Sequence, residues 1–181
     1  MDKICAIVDC QGFQFKDRFV AREVAIVSDK LSQCQELNPM MNWRELSEEE
    51  QQVVLHSTKF KHGLYYCPFN PQDYCFLYHS DKIATVLSQW YNFVASEEKP
   101  LFAYKNHQIG KILIDNQILC IDLEKDLNFP AYEKIQAKYG CNYLCAYHKR
   151  PPRGMLYTCA LRKCGQLYRE LKERIEWDIM E

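Results

Sequence analysis

The stretch from Cys141 to Leu171, CNYLCAYHKRPPRGMLYTCALRKCGQLYREL, constrains this chain more than any other. It concentrates four cysteines and one histidine. Two residues separate Cys145 from His148, and ten separate His148 from Cys159. The first spacing lets a thiolate and an imidazole turn onto one ion. Together, Cys-x2-His-x10-Cys supplies three of the soft or borderline ligands of a tetrahedral zinc site. A fourth ligand has to come from a different part of the sequence.

The rest of the composition is that of an ordinary folded chain. With 181 residues, 48% hydrophobic and 26% charged, the expectation is one domain over 1–181 with a sizeable core. A formal charge of −1 advertises no global affinity for nucleic acid, so any such binding needs a local basic patch. ICAIVDC after Met1-Asp2-Lys3 is too short and polar-flanked for a secretory h-region. No apolar run approaches the roughly 18 residues of a membrane helix. These features predict an intracellular protein, cytoplasmic or nuclear, without a membrane partner. Ten cysteines in that setting are core residues, thiols or metal ligands more often than disulfides, and Cys5, Cys75 and Cys120 sit in apolar runs that read as core.

In chain order, KICAIVDCQGF (3–13) reads as a buried strand ending at Gly12, and FVAREVAIVSD (19–29) as its antiparallel partner. LSQCQEL (31–37) reads as a weaker third strand. Ser47-Glu48-Glu49-Glu50 is a capping box opening a helix to about His56. A second helix follows with Ser80 as N-cap and a stripe of Ile83, Val86, Leu87, Trp90 and Val94. PLFAYK (100–105), NHQIGKILID (106–115) and NQILCIDLE (116–124) read as strand, helix and strand. Pro130 begins a helix that Gly140 closes. A last helix runs from near Met155 to about Met180, burying Ala160, Cys164, Leu167, Leu171 and Ile175. The order predicts an α/β fold, a mixed sheet flanked by helices with antiparallel strands first and crossover-linked strands later.

Asp9 at the end of the first strand invites comparison with RNase H-like nucleases of the DEDD exonuclease type. Their first strand ends in Asp-x-Glu and their acids hold two magnesium ions. Here the triplet is Asp9-Cys10-Gln11, and a neutral glutamine is a poor magnesium ligand. Asp115 and Asp122 fall in no assignable pattern, and no His-x4-Asp follows His148. Asp9 is the one catalytic candidate, and a polar strand end is the commoner reading of it.

Adding Glu23, in AREVAIV, to Cys145, His148 and Cys159 gives a Glu-Cys-His-Cys set that resembles the Maelstrom domain. That family is similar to the DEDDh exonucleases in fold and has largely replaced their acids with a zinc-binding set of this kind. Cys159-Ala160-Leu161-Arg162-Lys163-Cys164 resembles the family's Cys-Ala-Leu-x2-Cys helix start, and His62-Gly63-Leu64 its His-Gly-Ile stretch. The match covers 3–64 and 141–171, with the middle aligned only by element order. The resemblance implies an RNase H-like fold and zinc held by Glu23, Cys145, His148 and Cys159. Two departures, a longer His148-to-Cys159 loop and no HMG box, fit a divergent relative, such as one from a mobile element or virus, or an excised fragment.

With four protein ligands the zinc site is closed, a structural staple between the second strand and the last helix. The plainer reading makes the cysteines core residues and His148 a satisfied loop histidine. Cys141, Cys164 and Cys10 are alternatives for the fourth ligand. Lys149, Arg150, Arg153, Arg162 and Lys163, interleaved with Tyr143, Tyr147 and Tyr157, suit single-stranded RNA, although a solvated loop and helix face is the commoner fate of such charges. The resemblance implies a zinc-stabilised, degenerate exonuclease-like domain that binds single-stranded RNA or protein partners in small-RNA (piRNA-type) transposon silencing, rather than an enzyme. The alternatives are an RNA nuclease, metal-dependent or metal-independent, and a protein-interaction module of a mobile-element or viral protein. For the latter, the aromatics of 64–79 offer a surface.

Overall fold

A computed structural model of the chain describes residues 1–39, 42–64, 78–140, 148 and 158–180. Three antiparallel strands come first: β1 (Ile4–Gln14), β2 (Phe19–Ser28) and β3 (Ser32–Asn38). Helix α1 (Glu48–Phe60) follows, then the two-residue β4 (Tyr78–His79), α2 (Ile83–Val94), β5 (Leu101–Tyr104), α3 (His107–Asp115), β6 (Cys120–Asp122), α4 (Tyr132–Tyr139) and α5 (Ala160–Met180). The six strands form one mixed sheet in the order β4-β3-β2-β1-β5-β6. β5 lies parallel to β1 and β6 parallel to β5, each reached through a helical crossover.

β1 is central and buried on both faces, so its sequence is an apolar run rather than an alternation. Ala6, Val8 and Cys10 pack with α2 and α3 through Val86, Leu87, Trp90, Ile109 and Leu113. Ile4 and Ile7 pack on the other side with Ile135 of α4 and Ala160, Cys164, Leu167 and Leu171 of α5. The far end of the β1–β2 hairpin closes over α1, where Phe13, Phe15, Val20 and Val54 meet. All five predicted stripe residues of α2 are buried; each contributes roughly 1.5–3 kcal/mol as an upper estimate.

Several boundaries differ from the sequence reading. Gly12 does not end β1. The strand runs on to Gln14, and a Cβ at Gly12 would lie 2.1 Å from the Val20 carbonyl oxygen, so glycine is needed for close approach to β2. The Ser47 capping box is present, but α1 continues one turn past His56. Ser80 does not cap α2: its hydroxyl donates to the Asn38 carbonyl at 2.7 Å, and a short 3-10 turn precedes the helix. Only Cys120–Asp122 of the predicted last strand pairs. Cys75 and the start of the last helix at Met155 lie outside the described residues. Among the described residues, no helix is long and apolar enough to cross a membrane.

Candidate metal centre

The centre begins with an irregularity in β2. Gln11 pairs with Glu23 and Gly12 with Ala21, which leaves Arg22 unmatched as a β-bulge. A bulge sets two residues against one and re-aims the side chains beside it. Arg22 and Glu23 are both fully buried, and both are answered from β3. Arg22 Nη2 donates to Glu36 Oε1 at 2.6 Å, and the Cys34 thiol donates to Glu23 Oε1 at 3.0 Å.

α5 brings the second donor. The Ala160 N–H, in its first turn, donates to Glu23 Oε2 at 3.0 Å, the favourable arrangement of a carboxylate at a helix N-terminus. The buried Cys159 Sγ then stands 3.7 Å from Glu23 Oε1. His148 is the third donor. Its Nδ1 is hydrogen-bonded to the His62 carbonyl, and its Nε2 lies 3.2 Å from Glu23 Oε1. When the imidazole is neutral, that Nδ1–H bond leaves the Nε2 lone pair for a cation, the usual outer-shell device of a metal-binding histidine.

His62 is itself held in place. Gly63, at φ 67°, turns the chain so that the Leu64 N–H donates to His62 Nδ1 at 3.1 Å. Nε2–H is then left to donate to the Gly12 carbonyl at 3.1 Å. Burial pushes the His62 imidazole down to about 4, which keeps it neutral.

The donor atoms of Glu23, His148 and Cys159 all lie within 4.8 Å of one another. Ligand bonds of about 2.0–2.3 Å separate neighbouring donors of a tetrahedral ion by about 3.3–3.8 Å. The observed 3.2 and 3.7 Å fit that edge length, so the group can hold a metal ion. Without one, burial pulls the His148 imidazole down, but its hydrogen bonds to Cys159 and Glu23 prevail and push it up to about 10. A proton then supplies the positive charge that the buried carboxylate requires.

Of the remaining predicted ligands, Cys145 and Cys141 lie outside the described residues. Cys164 is a core thiol: its Sγ donates to the Ala25 carbonyl at 3.5 Å, and burial pushes its pKa well up. Cys10 packs on the opposite face of the sheet and is likewise pushed up by burial.

Asp9 is not at a strand end. It sits within β1, opposite Ala25 and buried, 3.2 Å from Lys163 Nζ. Burial alone would lower Lys163, but the Asp9 carboxylate outweighs it and holds the ammonium above its ordinary range. Lys163 also stands 5.1 Å over the Tyr132 ring. It therefore faces the interior, not a solvated RNA-binding face. Arg162 is buried as well, at 4% exposure. α5 packs directly on β1 and β2 here, which leaves Arg162 buried and Lys163 only partly exposed. Lys149, Arg150 and Arg153 lie outside the described residues.

The sequence reading missed Cys34, Arg22 and the backbone role of His62. Cys34 reaches Glu23 only through the pairing of Cys34 with Ala25, a register no local pattern encodes. His62-Gly63 did carry a signal, a glycine after a histidine in a non-turn composition. Compared with family models, curated proteins and solved structures, the chain has no significant match.

Proposed function

We propose that this chain is a zinc-stapled, RNase H-like domain of the Maelstrom type that has exchanged hydrolysis for recognition of single-stranded RNA. The observation that carries this reading is the convergence of Glu23, His148 and Cys159, distant in sequence, on one buried point. Carboxylate, imidazole and thiolate form a borderline donor set that suits zinc better than magnesium or calcium. Cys145 is the fourth ligand in this reading. Bound zinc supplies a fixed charge and a cross-link; the chain's own residues orient it through His62, Ala160 and Cys34. The central strand with antiparallel partners on one side and parallel, crossover-linked ones on the other supports the RNase H-like reading. Hydrolysis is disfavoured because Asp9 is already answered by Lys163 and its neighbour two residues on is the neutral Gln11. A role in small-RNA silencing, with RNA or silencing proteins as partners, follows from the resemblance.

Metal content of the purified protein tests this. The expected result is about one zinc per chain, lost or weakened in Glu23→Ala and Cys145→Ser, with no Mg²⁺- or Mn²⁺-dependent cleavage of single-stranded RNA. Cleavage abolished by Asp9→Asn would replace it with the nuclease reading. A metal-free wild type would remove the staple.

A further inference from the structure

A cleft of about 750 Å³ opens at the carboxyl end of β1, between α1 and the start of α3. Here the antiparallel β2 and the parallel β5 diverge from either side of β1. Crevices outside the carboxyl ends of strands, at such a change of direction, are where open α/β sheets bind ligands.

The chemistry of the lining is selective. None of its described residues is acidic. The Lys61 ammonium is exposed and has no counter-ion among the described residues. The Gln52 carboxamide and the Gln11 Nε2 group have no hydrogen-bond partner among the described residues either. His56 and Phe60, one turn apart on α1, hold their rings 5.1 Å apart at the rim, and Phe60 is 46% exposed. A free cation, carboxamides with unengaged N–H groups and an exposed ring pair are what hold a phosphate, a base edge and a base face. An acidic peptide would use the cation alone.

We propose that this cleft seats one unstacked nucleotide of single-stranded RNA. The base lies against the His56–Phe60 pair, its edge meets Gln11 and Gln52, and its phosphate sits at Lys61. This rests on the RNA reading above and gives it a location among the described residues. The cleft wall is tied to the metal centre. Thr158, next to Cys159, donates its N–H to the Lys61 carbonyl at 2.8 Å and its hydroxyl to Gln11 Oε1 at 3.3 Å. The next carbonyl, of His62, receives His148. The staple thus fixes the backbone that carries Lys61.

The test is fluorescence anisotropy of a labelled single-stranded RNA of about ten nucleotides with metal-loaded wild type, Phe60→Ala, Lys61→Glu and Lys134→Glu. Lys134 is exposed on α4, outside the cleft, and controls for net charge. The altered side chains are solvent-exposed, and thermal melts confirm that each variant folds. Phe60→Ala and Lys61→Glu each weaken binding about tenfold and Lys134→Glu less than about twofold; in a salt series run beside them, a further variant, Lys61→Ala, lowers the salt slope by about one. Wild-type binding that survives both cleft changes overturns the cleft but leaves RNA recognition standing. Equal losses in all three variants reduce the binding to diffuse charge attraction and overturn it too. No binding by wild type removes both the cleft and the RNA reading.

Discussion

Two groups of buried charge lie on the face of the sheet that α5 covers, and they are balanced in opposite ways. Asp9 is answered by a cation from the chain itself, Lys163 at 3.2 Å. Glu23 is surrounded by donors: Cys34, the Ala160 N–H, Cys159 and His148. Each carboxylate would be costly if left alone in the interior. At Asp9 the Lys163 ammonium supplies the countercharge from within the chain. At Glu23 the side-chain partners Cys34, Cys159 and His148 are themselves Lewis bases once deprotonated, so the positive charge comes as a proton on His148 or as a metal ion. One carboxylate is a structural element of the core; the other belongs to a group that can hold a metal ion.

The sharpest way to break this comparison is to strip the metal. Chelation is expected to cost several kcal/mol and lower the melting temperature by about 10 °C, read by calorimetry. An unchanged melt would mean that Glu23 is balanced by protons alone. Lys163→Met attacks the other group. It leaves Asp9 uncompensated and should cost about 3 kcal/mol in denaturant unfolding without changing metal content. Combined with Asp9→Leu, most of that loss should return. A loss of metal in Lys163→Met would show that the two groups are not independent.

Acidity distinguishes them next. In stripped protein the folded His148 titrates at about 10, above its ordinary 6.5. Its charge therefore stabilises fully below about pH 6.5, and that stability is lost as pH rises toward 10. Between pH 7 and 9 the loss should be about 2 kcal/mol, and absent from the metal-loaded form. Equal slopes for both forms would contradict the exchange of proton for metal. The smallest effect is expected at Cys34. Cys34→Ala removes a donor to Glu23 and should weaken zinc about tenfold in a chelator competition, while Cys34→Ser retains most of the affinity. Equal behaviour of the two variants would deny the thiol its positioning role.

What was legible in the sequence was what local chemistry dictates. The apolar runs of β1 and β2, the Ser47 capping box and the α2 stripe each carry their own signal. Glu23 was legible as an acid stranded in an apolar strand, and His148 with Cys159 as a spacing. The inward turn of Lys163 was not, because a lysine beside a cysteine in an amphipathic helix reads as surface until the depth of α5 against β1 is known. Cys34 was invisible because its contact depends on register across two strands. The start of α2 was misread at Ser80 because its hydroxyl serves a neighbouring strand instead of the helix that follows it.

The bulge at Arg22 also bears on which deletions this chain can tolerate. Pairing is regular on both sides of that residue, so a chain lacking it could form an uninterrupted β1–β2 ladder with Glu23 still opposite Gln11. The residue is nonetheless not spare. Glu23 and Glu36 are direct cross-strand neighbours, and like charges in that position repel. Arg22 bonds Glu36 from one residue away. A deletion that made the strand more regular would therefore leave a buried and a half-buried glutamate facing each other without the arginine, and the gap-free hairpin would be the less stable one.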